Sequence, residues 1–294
     1  MEIRRNDHGK GKLWTLTCIS RDDGFRVASV IIMGEKECVV VDTQWTLSNA
    51  HRVLAEILTH GKKLKAIYIT HGHPDHYFGT EVFTDVFPEA KVYALEEDIK
   101  VIDEQFLPKL DHWLSEIGEG NVPLRAIDII PYEEGVLDLD GNKITVLDKL
   151  WGDLKYNSAV WIESIKTVIC SDIVFSGAHP FTCEVTKAGR KHWIEDLEKI
   201  RALGADVIIP GHAKRGRSFD ESGLDYTRDY LIKTDEVLDE IIAKGNKDTG
   251  VYEFYYKLDT AFFDSKLKMS NEMNANVFLG DREWNDLWNE DMDE

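Results

Sequence analysis

The sequence is short of cysteine and has no long apolar run. Its 294 residues include four scattered cysteines, Cys18, Cys38, Cys170 and Cys183, with no Cys-x-x-Cys pair. We therefore expect buried free thiols rather than disulfides or a cysteine zinc site. No run of about 18 apolar residues is present to cross a membrane, and the first residues lack the apolar core of a secretory signal. These absences predict a cytoplasmic protein without a membrane partner.

Basic residues are also scarce. Lys and Arg total 35 against 54 Asp and Glu, which gives a net charge of −19. Such a field repels phosphate backbones and anionic membranes, and no basic patch interleaved with aromatic residues is visible. The composition therefore argues against nucleic acid as a partner and favours a small-molecule substrate. With 43% hydrophobic residues, the chain has enough apolar material for a large core.

The chain does contain a dense cluster of histidines. The run Thr70-His71-Gly72-His73-Pro74-Asp75-His76 follows the apolar segment 65–69, and the whole chain has only ten histidines. Imidazole nitrogens and carboxylate oxygens are suitable ligands for Zn²⁺, Fe²⁺ and Mn²⁺. Glycine and proline inside the run oppose a helix, so a tight loop is predicted. The run thus indicates a metal site, and the alternative is a histidine-rich surface turn without function.

The motif His-x-His-x-Asp-His, followed by Tyr77-Phe78-Gly79, resembles the metallo-β-lactamase superfamily. Three further segments resemble strand-end motifs of that family in the correct order. They are Val-Val-Val-Asp-Thr at 39–43, Val-Ile-Cys-Ser-Asp at 168–172 and Val-Ile-Ile-Pro-Gly-His at 207–212. The resemblance covers residues 39 to 212. It implies a four-layer αββα sandwich of the α/β class, with the metal ligands at strand ends along one edge.

One position departs from the family pattern. Family members usually carry a histidine between the first motif and the later aspartate that bridges two metals, whereas this chain has Asp153 there. No histidine lies between His112 and His179. If Asp153 binds metal, its oxygen makes the site harder, which favours Mn²⁺ or Fe²⁺ more than an all-nitrogen site would. The alternative is that Asp153 orients or caps neighbouring groups and that one metal position is weak.

The resemblance implies two divalent metal ions, with zinc as the first expectation and manganese or iron as alternatives. The implied ligands are His71, His73 and Asp153 for one ion, Asp75, His76 and His212 for the other, and Asp172 for both. Asp75 would also orient a metal-bridging hydroxide and carry a proton to the leaving group.

His179 is a second catalytic candidate. It lies seven residues beyond Asp172 in a loop that leaves the same predicted strand. A hydrogen bond to substrate, or metal ligation in place of the missing histidine, is one interpretation. The other is a loop histidine held by Pro180.

Hydrophobic periodicity predicts two groups of strands with helices between and after them. We expect an αββα domain over residues 1–222 and a helical C-terminal extension over 223–294, whose acidic end carries Trp284 and Trp288. A homodimer is compatible with that aromatic end. The predicted strands are 13–19, 27–33, 38–41, 66–69, 91–94, 136–139, 143–147, 158–162, 167–170 and 206–209. The predicted helices are 47–59, 95–114 with a break near Pro108, 193–203, 226–244 and 251–256.

The resemblance implies hydrolysis but leaves the substrate open, because one fold hosts many chemistries. Family members act on lactones, thioesters, β-lactams and phosphate esters. Our first expectation is a metal-dependent hydrolase for a lactone or related carboxylic ester. The alternatives are a di-iron enzyme or sensor that reacts with oxygen, and a non-catalytic protein that binds metal or another ligand.

Overall fold

The computed structural model describes residues 1–7, 9, 12–245 and 247–280, and these form two β-sheets with helices on their outer faces. Trp284 and Trp288 lie outside the described residues. The first sheet has the strand order β1 (Glu2–Asn6), β2 (Trp14–Ile19), β3 (Ala28–Met33), β4 (Glu37–Val41), β5 (Lys63–Tyr68), β6 (Lys91–Ala94) and β7 (Ile130–Pro131). The second sheet has the order β11 (Val207–Ala213), β10 (Thr167–Ser176), β9 (Asn157–Ile162) and β8 (Thr145–Leu150).

Helices cover the outer face of each sheet. The first sheet is covered by α1 (Leu47–Thr59), α2 (Pro74–Tyr77), α3 (Thr80–Val86) and α4 (Glu96–Ile117), and the second by α5 (Lys187–Ala202) and α6 (Ser222–Lys244). Two further helices, α7 (Lys247–Ala261) and α8 (Lys268–Leu279), pack with α6 around a separate apolar cluster. Helix α1 matches its prediction and begins after Thr46, whose side chain accepts a hydrogen bond from the Asn49 backbone N–H.

Side-chain alternation along the strands creates the layers. In β3, Ile31 and Met33 face the helices of the first sheet, whereas Val30 and Ile32 face the second sheet, because successive side chains of a strand point to opposite faces. The outer face of the second sheet packs against α5, where Trp193 is fully buried. The predicted αββα sandwich is therefore confirmed.

The parallel strand pairs place the loops that carry the histidines and aspartates. β4 and β5 run parallel, as do β10 and β11, so the carboxyl ends within each pair lie at the same edge of their sheet. The four cysteines are buried and unpaired, as predicted. Among the described residues, no helix combines the length and apolarity needed to cross a bilayer.

Two local predictions were wrong. Segment 136–139 does not form a strand: Leu139 pairs only with Asn142 across a tight turn, and the Asp138 side chain accepts a hydrogen bond from the Ile144 backbone N–H instead. Helix α4 continues through Pro108. Proline removes one backbone hydrogen bond, and buried Phe106 and Lys109 flank it on the packed face of the helix. The predicted domain boundary after residue 222 stays a prediction.

Candidate metal centre

The histidine-rich run forms the loop after β5 and the first turn of α2. His71 and His73 lie in the loop, and Pro74 occupies the first helical position, where its missing N–H costs nothing. Asp75 and His76 follow within α2. The second sheet supplies its residues from β10, from β11 and from the connection between β8 and β9.

The structure brings all seven predicted ligand residues into two adjacent clusters. Within each cluster, one nitrogen or oxygen atom from every residue lies within 4.8 Å of the corresponding atoms of the others. The first cluster contains His71, His73, Asp153 and Asp172, and the second contains Asp75, His76 and His212.

Asp172 belongs to the first cluster and also reaches two histidines of the second. Its Oδ1 lies 3.2 Å from His76 Nε2, and its Oδ2 lies 3.0 Å from His212 Nε2. A side chain at Gly211 would place a Cβ 2.1 Å from Asp172 Oδ1, so the glycine before His212 is needed for this close approach. Asp172 therefore lies where a residue shared by two metal ions would lie.

Asp153 points into the first cluster and is almost fully buried. Its Oδ2 lies 2.8 Å from His73 Nδ1 and its Oδ1 lies 3.6 Å from His71 Nε2. Asn157 holds the carboxylate in place by donating a 3.2 Å hydrogen bond to Oδ1. The carboxylate thus takes the place in the cluster that the resemblance gives to a third histidine.

In each of the four histidines, the ring nitrogen that faces away from the clusters lies close to an oxygen atom. This arrangement is typical of metal-binding histidines, since the outer oxygen fixes the tautomer and the ring orientation. The pairs are His71 Nδ1 with Thr70 Oγ1 at 3.2 Å, His73 Nε2 with Glu184 Oε2 at 3.2 Å, His76 Nδ1 with Asp42 Oδ2 at 2.8 Å, and His212 Nδ1 with the Phe25 carbonyl at 2.6 Å. Glu184 was not found from the sequence, because it lies 111 residues from its partner.

Burial and charge shift the ionisation of these groups. Burial lowers the pKa of His71 well below its ordinary value, so its ring is neutral. Burial also opposes protonation of His73, but the carboxylates of Asp153 and Glu184 outweigh it and raise the pKa of His73 to about 10. Burial raises the pKa of Asp153 to about 7. Without a cation among them, the buried carboxylates therefore draw protons onto their neighbours.

The donor set fits divalent transition-metal ions. Two inward-facing atoms, His76 Nε2 and Asp172 Oδ1, are buried and lie 3.2 Å apart without the geometry of a hydrogen bond, and neither has another hydrogen-bond partner, although buried polar atoms are nearly always satisfied. Imidazole nitrogens with carboxylate oxygens suit zinc, iron and manganese.

Both clusters border one open cavity, whose empty volume of about 630 Å³ includes the solvent at its mouth. Helix α4 contributes Lys109 and Trp113 to it, and α8, which the sequence did not predict, contributes a second face. The remaining lining residues are Phe25, His73, Pro74, Asp75, Asp153, Asp172, Phe175, Phe181, Glu184, His212, Leu267, Met269, Ser270 and Met273.

His179 is not among the described residues that line this cavity. It is buried beside α6, where its Nδ1 lies 3.1 Å from the Tyr230 hydroxyl and its Nε2 lies 3.7 Å from Asp259 Oδ1. Burial lowers its pKa to about 3, which keeps the ring neutral. A contact between His179 and substrate or metal stays a prediction that this position does not favour.

Comparisons with known proteins agree with this geometry. The family model of the metallo-beta-lactamase superfamily matches residues 21–212. Similar solved structures include the DIM-1 metallo-beta-lactamase exposed to ceftazidime, with 21% identity, a TM-score of 0.56 and coverage of 79% of this chain and 97% of that chain. A metallo-beta-lactamase from Pontibacter korlensis has 18% identity, a TM-score of 0.58 and coverage of 79% and 99%.

The metallo-beta-lactamase FIM-1 from Pseudomonas aeruginosa, in a mono-zinc form, has 15% identity, a TM-score of 0.55 and coverage of 79% and 96%. Identities this low show a shared fold and not a shared substrate. No curated protein matches the chain significantly. Because the family model spans well over half of the sequence, the chain belongs to the metallo-β-lactamase superfamily.

Proposed function

We propose that the protein is a dinuclear metal-dependent hydrolase that acts on a small carboxylic ester, with a lactone as the first candidate. The observation that carries this proposal is a pair of His/Asp clusters, linked by Asp172, that border one cavity with mostly apolar walls. Zinc is the expected metal. Two divalent ions would supply an activated water and polarise the scissile carbonyl. The residues that would hold them are His71, His73 and Asp153 for one, Asp75, His76 and His212 for the other, and Asp172 for both.

Asp75 is the proposed proton carrier. It lines the cavity and its side chain is 12% exposed, and its Oδ2 lies 3.5 Å from His212 Nε2 and 3.7 Å from His76 Nε2. A carboxylate at this border can accept a proton from the attacking water and pass it to the departing alcohol. It belongs to the second cluster and also faces the space where a substrate would bind.

The cavity walls favour the apolar part of a small ester. Phe25, Trp113 and Phe181 contribute aromatic surface, and Met269 and Met273 contribute flexible thioethers. Such walls enclose apolar ligands, and methionine adapts to irregular shapes. The proposal therefore includes a small-molecule substrate. A cytoplasmic location and a homodimer stay predictions.

The test compares chelated protein with zinc-reloaded protein on a panel of lactones, thioesters and phosphodiesters. Reloaded protein should hydrolyse a lactone or another carboxylic ester, and Asp75→Asn, assayed in excess zinc because Asp75 is also a proposed ligand, should reduce turnover by about 10²- to 10⁴-fold while thermal stability stays unchanged. Asp111→Asn, the same change at an exposed position of α4, is the matched control. The proposal is overturned if reloaded protein hydrolyses no member of the panel, or if Asp75→Asn retains near-normal turnover.

The number of carboxylates gives a second candidate function. Glu184 beside His73 and Asp42 beside His76 bring two further carboxylates to the site, after Asp75, Asp153 and Asp172, and oxygen-rich surroundings favour iron or manganese. Iron-reloaded protein that absorbs in the near ultraviolet and consumes oxygen, without esterase activity, would establish an oxygen-reactive di-iron protein. One equivalent of metal, unaffected by Asp153→Ala, would instead indicate a non-catalytic binder.

A further inference from the structure

The loop between β10 and α5, residues 177–186, presents two side chains to one histidine of the first cluster. Glu184 Oε2 lies 3.2 Å from His73 Nε2, and the Phe181 ring meets the His73 ring edge to face, with 5.7 Å between the ring centres. Both side chains also line the cavity. The orientation of the His73 ring therefore depends on where this loop, called the Glu184 loop below, is held.

Asn274 of α8 holds the backbone of the Glu184 loop with three hydrogen bonds. Its Oδ1 accepts the backbone N–H groups of Thr182 and Cys183 at 2.8 and 3.1 Å, and its Nδ2 donates to the Pro180 carbonyl at 2.8 Å. Asn274 is fully buried, and buried polar groups that lose their partners are costly. The amide thus fixes the backbone immediately before Glu184.

A second anchor holds the loop on the other side of Glu184. Arg190 of α5 is buried, its Nη1 donates to the Val185 carbonyl at 2.6 Å, and its Nε donates to Asp235 of α6 at 2.8 Å. The family model matches the segment that contains Arg190, whereas Asn274 lies beyond it. The anchor from α8 is therefore a contact between the matched segment and the C-terminal helices.

We propose that Asn274 is a positioning residue for the first metal ion: by holding the Glu184 loop it keeps Glu184 against His73, and so maintains the metal affinity of the first cluster. Helix α8 then has two roles, since Met273, the residue before Asn274, lines the cavity. The inference rests on the metal-binding part of the proposed function, but metal affinity and the His73 hydrogen bond are measured without any substrate.

The first measurement is the affinity for each of two zinc ions, by competition with a chromophoric chelator. The ion of the first cluster is identified as the one lost in Asp153→Ala. Asn274→Ala removes the hydrogen bonds to the Glu184 loop. It should weaken the ion of the first cluster by about 10- to 100-fold, the loss typical for an outer partner of a metal-binding histidine, and leave the other ion unchanged.

The matched control is Asn271→Ala. Asn271 is also a buried asparagine of α8, but its Nδ2 donates to the Tyr255 carbonyl of α7 at 3.0 Å and not to the Glu184 loop. Its replacement disturbs the packing of the same helix without removing the anchor of the loop. Asn271→Ala should therefore change neither zinc affinity.

The second measurement is the ring N–H resonance of His73 in zinc-loaded protein, by nitrogen-edited NMR. With Nδ1 facing the cluster, the Nε2–H donates to the Glu184 carboxylate, and such a charge-assisted hydrogen bond moves the proton resonance downfield. Asn274→Ala should move this resonance upfield, in the same direction as Glu184→Ala. A loss of stability alone does not move it, so Asn271→Ala should leave it in place.

A double variant distinguishes action through Glu184 from action by another route. If Asn274 acts through Glu184, adding Asn274→Ala to Glu184→Ala should weaken the ion of the first cluster by no more than about twofold. Losses that multiply in the double variant overturn the inference. So do an unchanged affinity in Asn274→Ala, and equal losses in Asn274→Ala and Asn271→Ala. Asn274→Leu keeps the size of the side chain and removes the same hydrogen bonds, so it replaces Asn274→Ala if that variant does not fold.

Hydrolysis is scored separately. Protein that hydrolyses no ester, but loses affinity for the ion of the first cluster in Asn274→Ala, would overturn the proposed function and leave the role of Asn274 standing. Ester hydrolysis with that affinity unchanged in Asn274→Ala would do the reverse. Wild-type protein that binds no zinc would overturn both.

Discussion

Replacing Glu184 with glutamine should weaken the metal ion held by the first cluster and leave the ion of the second cluster in place. Glu184 Oε2 lies 3.2 Å from His73 Nε2, and the other ring nitrogen, Nδ1, lies 2.8 Å from Asp153 Oδ2. The carboxylate thus fixes the ring so that Nδ1 faces the cluster. It also makes the imidazole a more basic ligand. His76 and His212 have different outer partners, so their ion should not respond.

The size of the effect follows from what each substitution removes. Loss of an outer partner of a metal-binding histidine typically costs about 10- to 100-fold in metal affinity, which is about 1.4–2.8 kcal/mol. Glutamine keeps a carbonyl oxygen that can accept the N–H of His73 and loses only the charge, so Glu184→Gln should fall near the lower value. Glu184→Ala loses both the charge and the acceptor and should fall near the upper value.

Competition with a chromophoric chelator, which separates two metal affinities, provides the assay. The matched control is Glu195→Gln, because Glu195 also lies beside a histidine ring nitrogen, at 3.3 Å from His192 Nδ1, but on the exposed surface. The control should leave both affinities unchanged. If Glu184→Gln weakens both ions equally, or neither of them, the assigned link between Glu184 and the first cluster is incorrect.

Three further predictions concern the same centre and the loop that carries Glu184. Asp153→Ala should retain one metal equivalent and Asp153→His should retain two, measured by elemental analysis of dialysed protein. Because the pKa of His73 is raised to about 10, metal must displace its proton. Apparent affinity should therefore rise about tenfold per pH unit from pH 7 towards 10, and calorimetry in buffers of different ionisation enthalpy should detect at least one proton released. Asn274 accepts hydrogen bonds from the Thr182 and Cys183 backbone N–H groups at 2.8 and 3.1 Å. Asn274→Ala should lower the free energy of unfolding in urea by about 2–4 kcal/mol, whereas exposed Asn276→Ala on the same helix should have little effect.

Much of the candidate site could be predicted from the sequence because most of its residues lie in short segments with a recognisable pattern. Four of the seven clustered residues lie in the run from His71 to His76; Asp172 and His212 follow apolar runs within β10 and β11, and Asp153 lies in the loop before β9. The histidine-rich loop, and the aspartate and histidine that follow apolar runs, therefore have short patterns that can be recognised without knowing the fold. The fold class follows from the same strands, since their apolar runs fix which elements are buried.

Glu184 and Lys109 could not be predicted in this way, because their contacts are tertiary. Lys109 occupies a buried position of α4 that would normally hold an apolar residue, and its contact with the Gly72 carbonyl arises from the packing of that helix over the loop. Glu184 lies in a loop whose backbone is held by Asn274 of α8. A loop of this kind has no periodicity from which its direction could be read.

The residues that could be predicted from short sequence patterns are the candidate metal ligands, whereas the residues expected to select the substrate are brought together only by tertiary packing. The clustered residues all lie within the matched segment 21–212, whereas Met269 and Met273 on the cavity wall lie beyond it, on α8. The matched segment therefore contains all of the candidate metal ligands and leaves out part of the cavity wall. Since metal affinity depends on the clusters and substrate affinity on the walls, exchanging Met273 for a larger or a polar residue should alter substrate preference without changing metal content. This separation explains why a sequence can define its reaction class while its substrate must be determined from the assembled cavity.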